Sequence, residues 1–165
     1  MTVTTNETEI HVDPHVPMVR LTREFEAPAA KVFAAHTDPE LLVQWNGPRD
    51  IEARIVEWDC RTGGSWRYVH SRGDEAYAFH GSFHDVLPET NTIVQTFTFD
   101  GVPDGVALEK VVIEDLPGGR SRLVATSLVD SFEGRDAFVA SGMEVGVREG
   151  FERLDAMLEE FKAQA

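Results

Sequence analysis

A chain of 165 residues is long enough to bury one sizeable core and too short for two ordinary domains. Its 42% apolar and 27% charged residues suit a soluble globular protein, and with no apolar run of about 18 residues and no signal segment it is expected in the cytoplasm. A formal charge of -14 disfavours nucleic acid and anionic lipid as partners, and one cysteine, Cys60, excludes an internal disulfide and leaves too little sulfur for a thiolate zinc site.

Residues 1–17 are polar, carry Pro14 and Pro17 and show no period, so they are expected to form a flexible arm ahead of a single domain over 18–163. From Met18 to Glu26 the residues alternate, Val19, Leu21 and Phe25 interleaved with Arg20, Thr22, Arg23 and Glu24, which predicts a first strand with an imperfect period near its end. Pro28 then opens a short helix through Val32, Phe33 and His36. Asp38 suits an N-cap and Pro39 the first helical position, so a second short helix is predicted over Glu40 to Trp45, ending at Asn46-Gly47-Pro48.

Between Ile51 and Asp130 turn signals at short intervals divide six predicted strands, the pattern of an antiparallel meander. They run Ile51 to Trp58, Ser65 to His70, Glu75 to Leu87, Thr92 to Phe99, Val106 to Leu116 and Ser121 to Asp130. Alternation is clearest where Ile93, Gln95, Phe97 and Phe99 oppose Thr92, Val94, Thr96 and Thr98; the aromatic side is expected to face a helix.

That helix is predicted as one element over Asp136 to Phe161. At about 100° per residue, Met143, Val147, Phe151, Leu154, Met157, Leu158 and Phe161 share one buried arc. Gly142, Gly146 and Gly150 line an edge of it, each costing a helix about 0.8 to 1 kcal/mol relative to alanine. The missing volume fits either close backbone packing or a pocket between helix and sheet. Together these elements make an α+β fold, a seven-stranded curved antiparallel sheet around a long C-terminal helix.

Four stretches are similar to a known family: Phe25-Glu26-Ala27-Pro28 leading to Val32-Phe33; Thr37-Asp38-Pro39-Glu40 leading to Trp45-Asn46-Gly47-Pro48; Asp59 to Arg67, with Gly63-Gly64-Ser65-Trp66; and Ser141-Gly142-Met143-Glu144 with Gly146 and Arg153-Leu154. In order and spacing the chain resembles the START-like or SRPBCC superfamily, in its bacterial branch named after the activator of the heat-shock-protein-90 ATPase. The resemblance implies a helix-grip fold enclosing an elongated apolar cavity, which moves the glycines toward the pocket reading. It also implies three functions: binding of a small hydrophobic, aromatic or lipid-like ligand, stimulation of a chaperone ATPase, or cyclase and aromatase-like catalysis.

For the wall of such a pocket the expected residues are Trp45, Trp66, Tyr68, Phe79, Phe83, Phe97, Met143 and Val147; ordinary core packing accounts for each equally. Glu144, on the margin of the arc, is either a carboxylate at the lip of the cleft or, with Ser141, a capping box if the helix breaks at Gly142. Arg49 and Arg67 could hold an acidic ligand, with surface ion pairs the simpler expectation. His80 and His84 lie about 13 Å apart along a strand if no bulge intervenes, too far to share a metal, and His36 and His70 are expected in structural or surface roles. No catalytic residue is assigned, and no cofactor or metal is expected, because the chain carries no phosphate-binding glycine loop and no paired-histidine helix motif. A homodimer through a strand edge or the outer sheet face is a further expectation.

Overall fold

The computed structural model describes residues 6–164. Eight antiparallel strands form one sheet: β1 (Glu9–Val12), β2 (Met18–Phe25), β3 (Glu52–Trp58), β4 (Ser65–Arg72), β5 (Glu75–Leu87), β6 (Thr92–Phe99), β7 (Ala107–Leu116) and β8 (Arg120–Leu128), in the order β1-β2-β8-β7-β6-β5-β4-β3. Helices α1 (Ala29–Thr37) and α2 (Pro39–Trp45) follow β2, and α3 (Phe132–Ala140) and α4 (Met143–Gln164) follow β8. Register breaks at Ile55/Glu57 and Phe83/Asp85 mark bulges, which add twist and help curl the sheet. The curl gives it a concave side.

The α1–α2 corner is built by short-range chemistry. Pro28 brings no side-chain cap to α1, and Asp115 of β7 supplies one by accepting from Ala29 N at 2.8 Å. Asp38 caps α2 by accepting from Glu40 N at 2.9 Å. The indole N–H groups of Trp45 and Trp58 then donate to the carbonyls of Ala35 and Thr37, at 2.9 and 2.8 Å, tying α2 and β3 to α1.

Three expectations need correction. The arm is not free throughout: Glu9–Val12 pairs with β2 as the eighth strand, Arg148 donates to Thr8 O at 2.6 Å, and buried Arg135 donates to Asp13 O at 2.7 Å. The β1 pairing consists of backbone bonds to the open edge of β2, which leave no hydrophobic period to read. Residues 1–5 of the expected arm lie outside the described residues.

The terminal helix is two helices, because Gly142 takes φ +87° and breaks the helical path between α3 and α4. The break does not form the Ser141–Glu144 capping box, since the Ser141 hydroxyl donates backwards to Phe138 O at 2.6 Å.

The glycines do not open a pocket. A Cβ on Gly150 would stand 3.2 Å from Trp45 O and 3.5 Å from Gly47 N, so that glycine lets α4 pack onto the end of α2; one on Gly146 would meet Pro48 Cδ at 3.5 Å. Arg153 reinforces the same contact by donating to the carbonyls of Gln44, Gly47 and Pro48.

The core lies between the concave side, α1, α2 and the C-terminal half of α4. Phe25, Val32, Trp66, Phe83, Ile113, Leu123 and Leu154 are fully enclosed in it. At its margin the guanidinium of Arg23 is held by the Asp155 carboxylate and by Glu24 O, over the ring of Phe25.

Candidate functional site: the open end of the concave face

Alternation along the strands decides what faces inward, and the register decides which inward residues become neighbours. On β4 and β5, Trp66 opposes Gly81, Tyr68 opposes Phe79 and His70 opposes Tyr77; on β5 and β6, Phe79 opposes Phe99. Gly81 has to lack a side chain, because a Cβ there would run into the carbonyl of Thr96 on β6, with Trp66 Cε2 a further obstacle at 2.8 Å. The rings form a continuous run, Trp66–Tyr68 at 5.0 Å, Tyr68–Phe79 at 5.5 Å, Phe79–Phe97 at 5.3 Å and Trp66–Phe97 at 5.7 Å. Trp66 is sealed at 2% exposure, whereas Tyr68, Phe79 and Phe97 are half-buried. The concave face thus opens as it passes from Trp66 toward the ends of β4 and β6, under the N-terminal half of α4.

Three polar residues sit on this inward phase and were not among the expected site residues. Gln95, Glu109 and Ser127 stand in one row across β6, β7 and β8. Gln95 Nε2 donates to Glu109 Oε1 at 3.1 Å, and Ser127 Oγ donates to Glu109 Oε2 at 2.7 Å. Burial raises the Glu109 carboxyl above the usual range, and the bonds from Ser127 and Gln95 pull it part of the way back. The Tyr68 phenol is likewise raised by burial, with a hydrogen bond to Asn46 opposing the shift and the Glu109 charge adding to it. His70 stacks on Tyr68 at 5.0 Å beside the Asn46 amide, and burial lowers it to about 4, so the ring is neutral at pH 7.

The signal for this row was present in the chain. Gln95 shares the phase of Ile93 and Phe97, Glu109 that of Val111 and Ile113, and Ser127 that of Leu123 and Ala125. A carboxylate in the apolar phase of a strand is the informative exception.

The expected wall residues divide between the two ends. Trp45, Trp66 and Phe83, at 6%, 2% and 2% exposure, are sealed core. Tyr68, Phe79 and Phe97 lie on the open end, and Met143 and Val147 are half-buried on the first turns of α4, Val147 against the core. Glu144 belongs to neither: its side chain is 55% exposed and pairs with Arg148 at 3.0 Å, one turn on, so the lip position assigned to it is corrected.

Arg67 and Arg49 make exposed ion pairs with Asp100 and Glu152, at 2.7 and 2.6 Å. A bulge does fall at His84, which is exposed, while His80 pairs with Asp100 at 2.7 Å. His36 is half-buried against Trp45, its Nδ1 on Val32 O at 2.8 Å, and desolvation lowers it to about 4. Burial raises the Cys60 thiol to about 11, which keeps it protonated at pH 7.

Elsewhere, a depression of about 340 Å³ lies on the outer sheet face between Arg20, Lys110 and Arg122, and one of about 440 Å³ beside β1 between Glu7, Thr22 and Glu24. Among the described residues no helix is long and apolar enough to cross a membrane, and no cluster of three or more His, Cys, Asp or Glu is placed to hold a metal.

Comparison with known proteins agrees with this architecture. The family model of the Activator of Hsp90 ATPase homolog 1-like protein matches residues 26–159. No curated protein matches the chain. Among solved structures, a Rhodobacter sphaeroides protein superposes with a TM-score of 0.84 at 24% identity, covering 93% of this chain and 99% of its own. An Arthrobacter aurescens protein solved by NMR gives 0.80 at 26%, covering 92% and 91%, and a Silicibacter pomeroyi protein that carries the family's name gives 0.70 at 23%, covering 86% and 97%. The fold is a helix grip and the family model spans β3 to β8 and most of α4: the chain belongs to the Activator of Hsp90 ATPase homolog 1-like family.

Proposed function

We propose that this protein binds a small hydrophobic molecule on the concave face of the sheet, at its open end beneath the start of α4. One observation carries the reading: Tyr68, Phe79 and Phe97 form a continuous aromatic surface that faces inward and nevertheless keeps part of its area uncovered. Leaving aromatic area wet is unfavourable by about 25 cal/mol per Å², so a surface of this kind favours an apolar guest. Neutral Nile red is the direct probe. Binding predicts a blue-shifted, saturable emission that Phe97→Ala or Phe79→Ala weakens and that Val56→Ala, on an exposed part of β3, leaves alone. A protein that neither takes up the dye nor gains thermal stability from a broad apolar panel would refute the proposal.

The polar row favours one second reading. A carboxyl raised by burial beside an aromatic surface is poised to exchange a proton with a bound molecule, the requirement of a cyclase or aromatase-like reaction. Turnover that vanishes in Glu109→Gln while binding persists would support it. Binding without turnover leaves the first reading alone.

A further inference from the structure

Resting on the reading that the open end binds a guest, we infer that the preferred guest is a hydrophobic ammonium ion, its N–H groups on the Glu109 carboxylate and its apolar body on Phe97, Phe79 and Tyr68. The carboxylate is the first argument. Both of its bonds come from neutral donors, the Gln95 amide at 3.1 Å and the Ser127 hydroxyl at 2.7 Å. Each oxygen therefore keeps acceptor capacity for one further donor.

No Lys, Arg or His pairs with Glu109 among the described residues, although the arginines around the molecule are paired freely with exposed carboxylates. A buried carboxylate is stable when a cation or strong donors offset its desolvation. The fold supplies only neutral donors, and a charged guest would supply the cation.

The second argument is the surroundings. Phe97 pairs with Ala107, two residues from Glu109 on the same inward phase, so Phe97 and Glu109 are diagonal neighbours on the concave face. Phe79 lies 5.3 Å from Phe97 and Tyr68 5.5 Å from Phe79, centroid to centroid, and ring faces attract an ammonium. Third, the formal charge of -14 draws cations toward the molecule and repels anions.

The test is a matched series of one shape: 2-phenylethylamine, 2-phenylethanol and phenylacetate, titrated by calorimetry at pH 7 and at two salt concentrations, with Nile red displacement in parallel. The amine is expected to bind about tenfold or more tightly than the alcohol, the difference one charge-assisted contact makes, and phenylacetate not to compete. Glu109→Gln, which keeps the shape and removes the charge, should bring the amine level with the alcohol without lowering affinity for the alcohol. Equal affinities for amine and alcohol in the unmodified protein overturn the inference whether or not the variant folds, and so does an amine preference that survives Glu109→Gln. If the dye binds while the amine does not, the ammonium inference falls and the binding reading stands; if nothing in the series binds and the dye does not either, both fall.

Discussion

The two ends of the concave face are made from the same strands and finished differently. At the closed end Phe25, Phe83, Trp66, Ile113 and Leu123 pack with α1, α2 and the C-terminal half of α4, and these five side chains are enclosed. At the open end Tyr68, Phe79, Phe97 and Val111 are no less apolar, yet each keeps part of its surface uncovered. What differs is how far the side chains are covered, not how apolar they are. One face of one sheet thus supplies stability at one end and a partly covered aromatic surface beside a half-buried carboxylate at the other.

Substitution should separate the ends by size of effect. The largest loss is expected at the closed end: Asp155→Ala strands the guanidinium of Arg23, whose side chain is 1% exposed, at about 3 to 5 kcal/mol. Leu154→Ala, fully enclosed, loses about 2 to 5 kcal/mol. In urea titrations Phe97→Ala should lose less than the roughly 3 kcal/mol expected of Phe83→Ala, because Phe97 is only partly buried and Phe83 is sealed. Equal losses at Phe97 and Phe83 would erase the distinction.

The histidines sharpen it through pH. His36 at the closed end and His70 at the open end both lie near 4 instead of 6.5, in each case chiefly through burial. Between those values the unfolded chain binds more protons than the folded one, so stability is complete above about pH 6.5 and declines as the pH falls toward 4. His36→Gln should remove on the order of 2 to 3 kcal/mol of that dependence. An NMR titration of His70 that runs near 6.5 would mean the open end is wetter than its geometry implies.

Smaller effects test the glycines. Gly142→Ala forces a side chain to φ +87° and should cost about 1 to 2 kcal/mol, whereas Gly146→Ala meets Pro48 at ordinary contact distance and should gain up to about 0.8 kcal/mol in thermal unfolding. A pocket at Gly146 predicts the reverse, a loss of ligand affinity. Smallest of all, Glu144→Gln should leave both melting temperature and dye binding unchanged, since among the described residues it pairs with the half-exposed Arg148 alone.

Much of this was legible in the chain. The Thr92–Phe99 and Glu75–Leu87 strands fall where alternation and turn residues put them, and Asp38-Pro39 starts α2 because an Asp side chain and a proline ring act within a few residues. The Glu9–Val12 strand was not legible, because its bonds are backbone bonds to another strand's edge. Glu144 was misplaced for a related reason: a residue on the margin of a helical arc turns in or out according to what stands opposite, and Arg148 claims it.

By itself the sequence determined the phase of each strand, the amphipathic arc of α4 and the residues that start and stop the elements, since these depend on side-chain period and local backbone chemistry. Even the inward phase of Gln95, Glu109 and Ser127 is written in it. Only the tertiary structure decided that those three share one row, that Gly150 serves the contact with Trp45 and Gly47, and how far α4 covers the sheet. Register, sheet curvature and the break at Gly142 join residues far apart in the chain, and no local pattern carries distances of that kind.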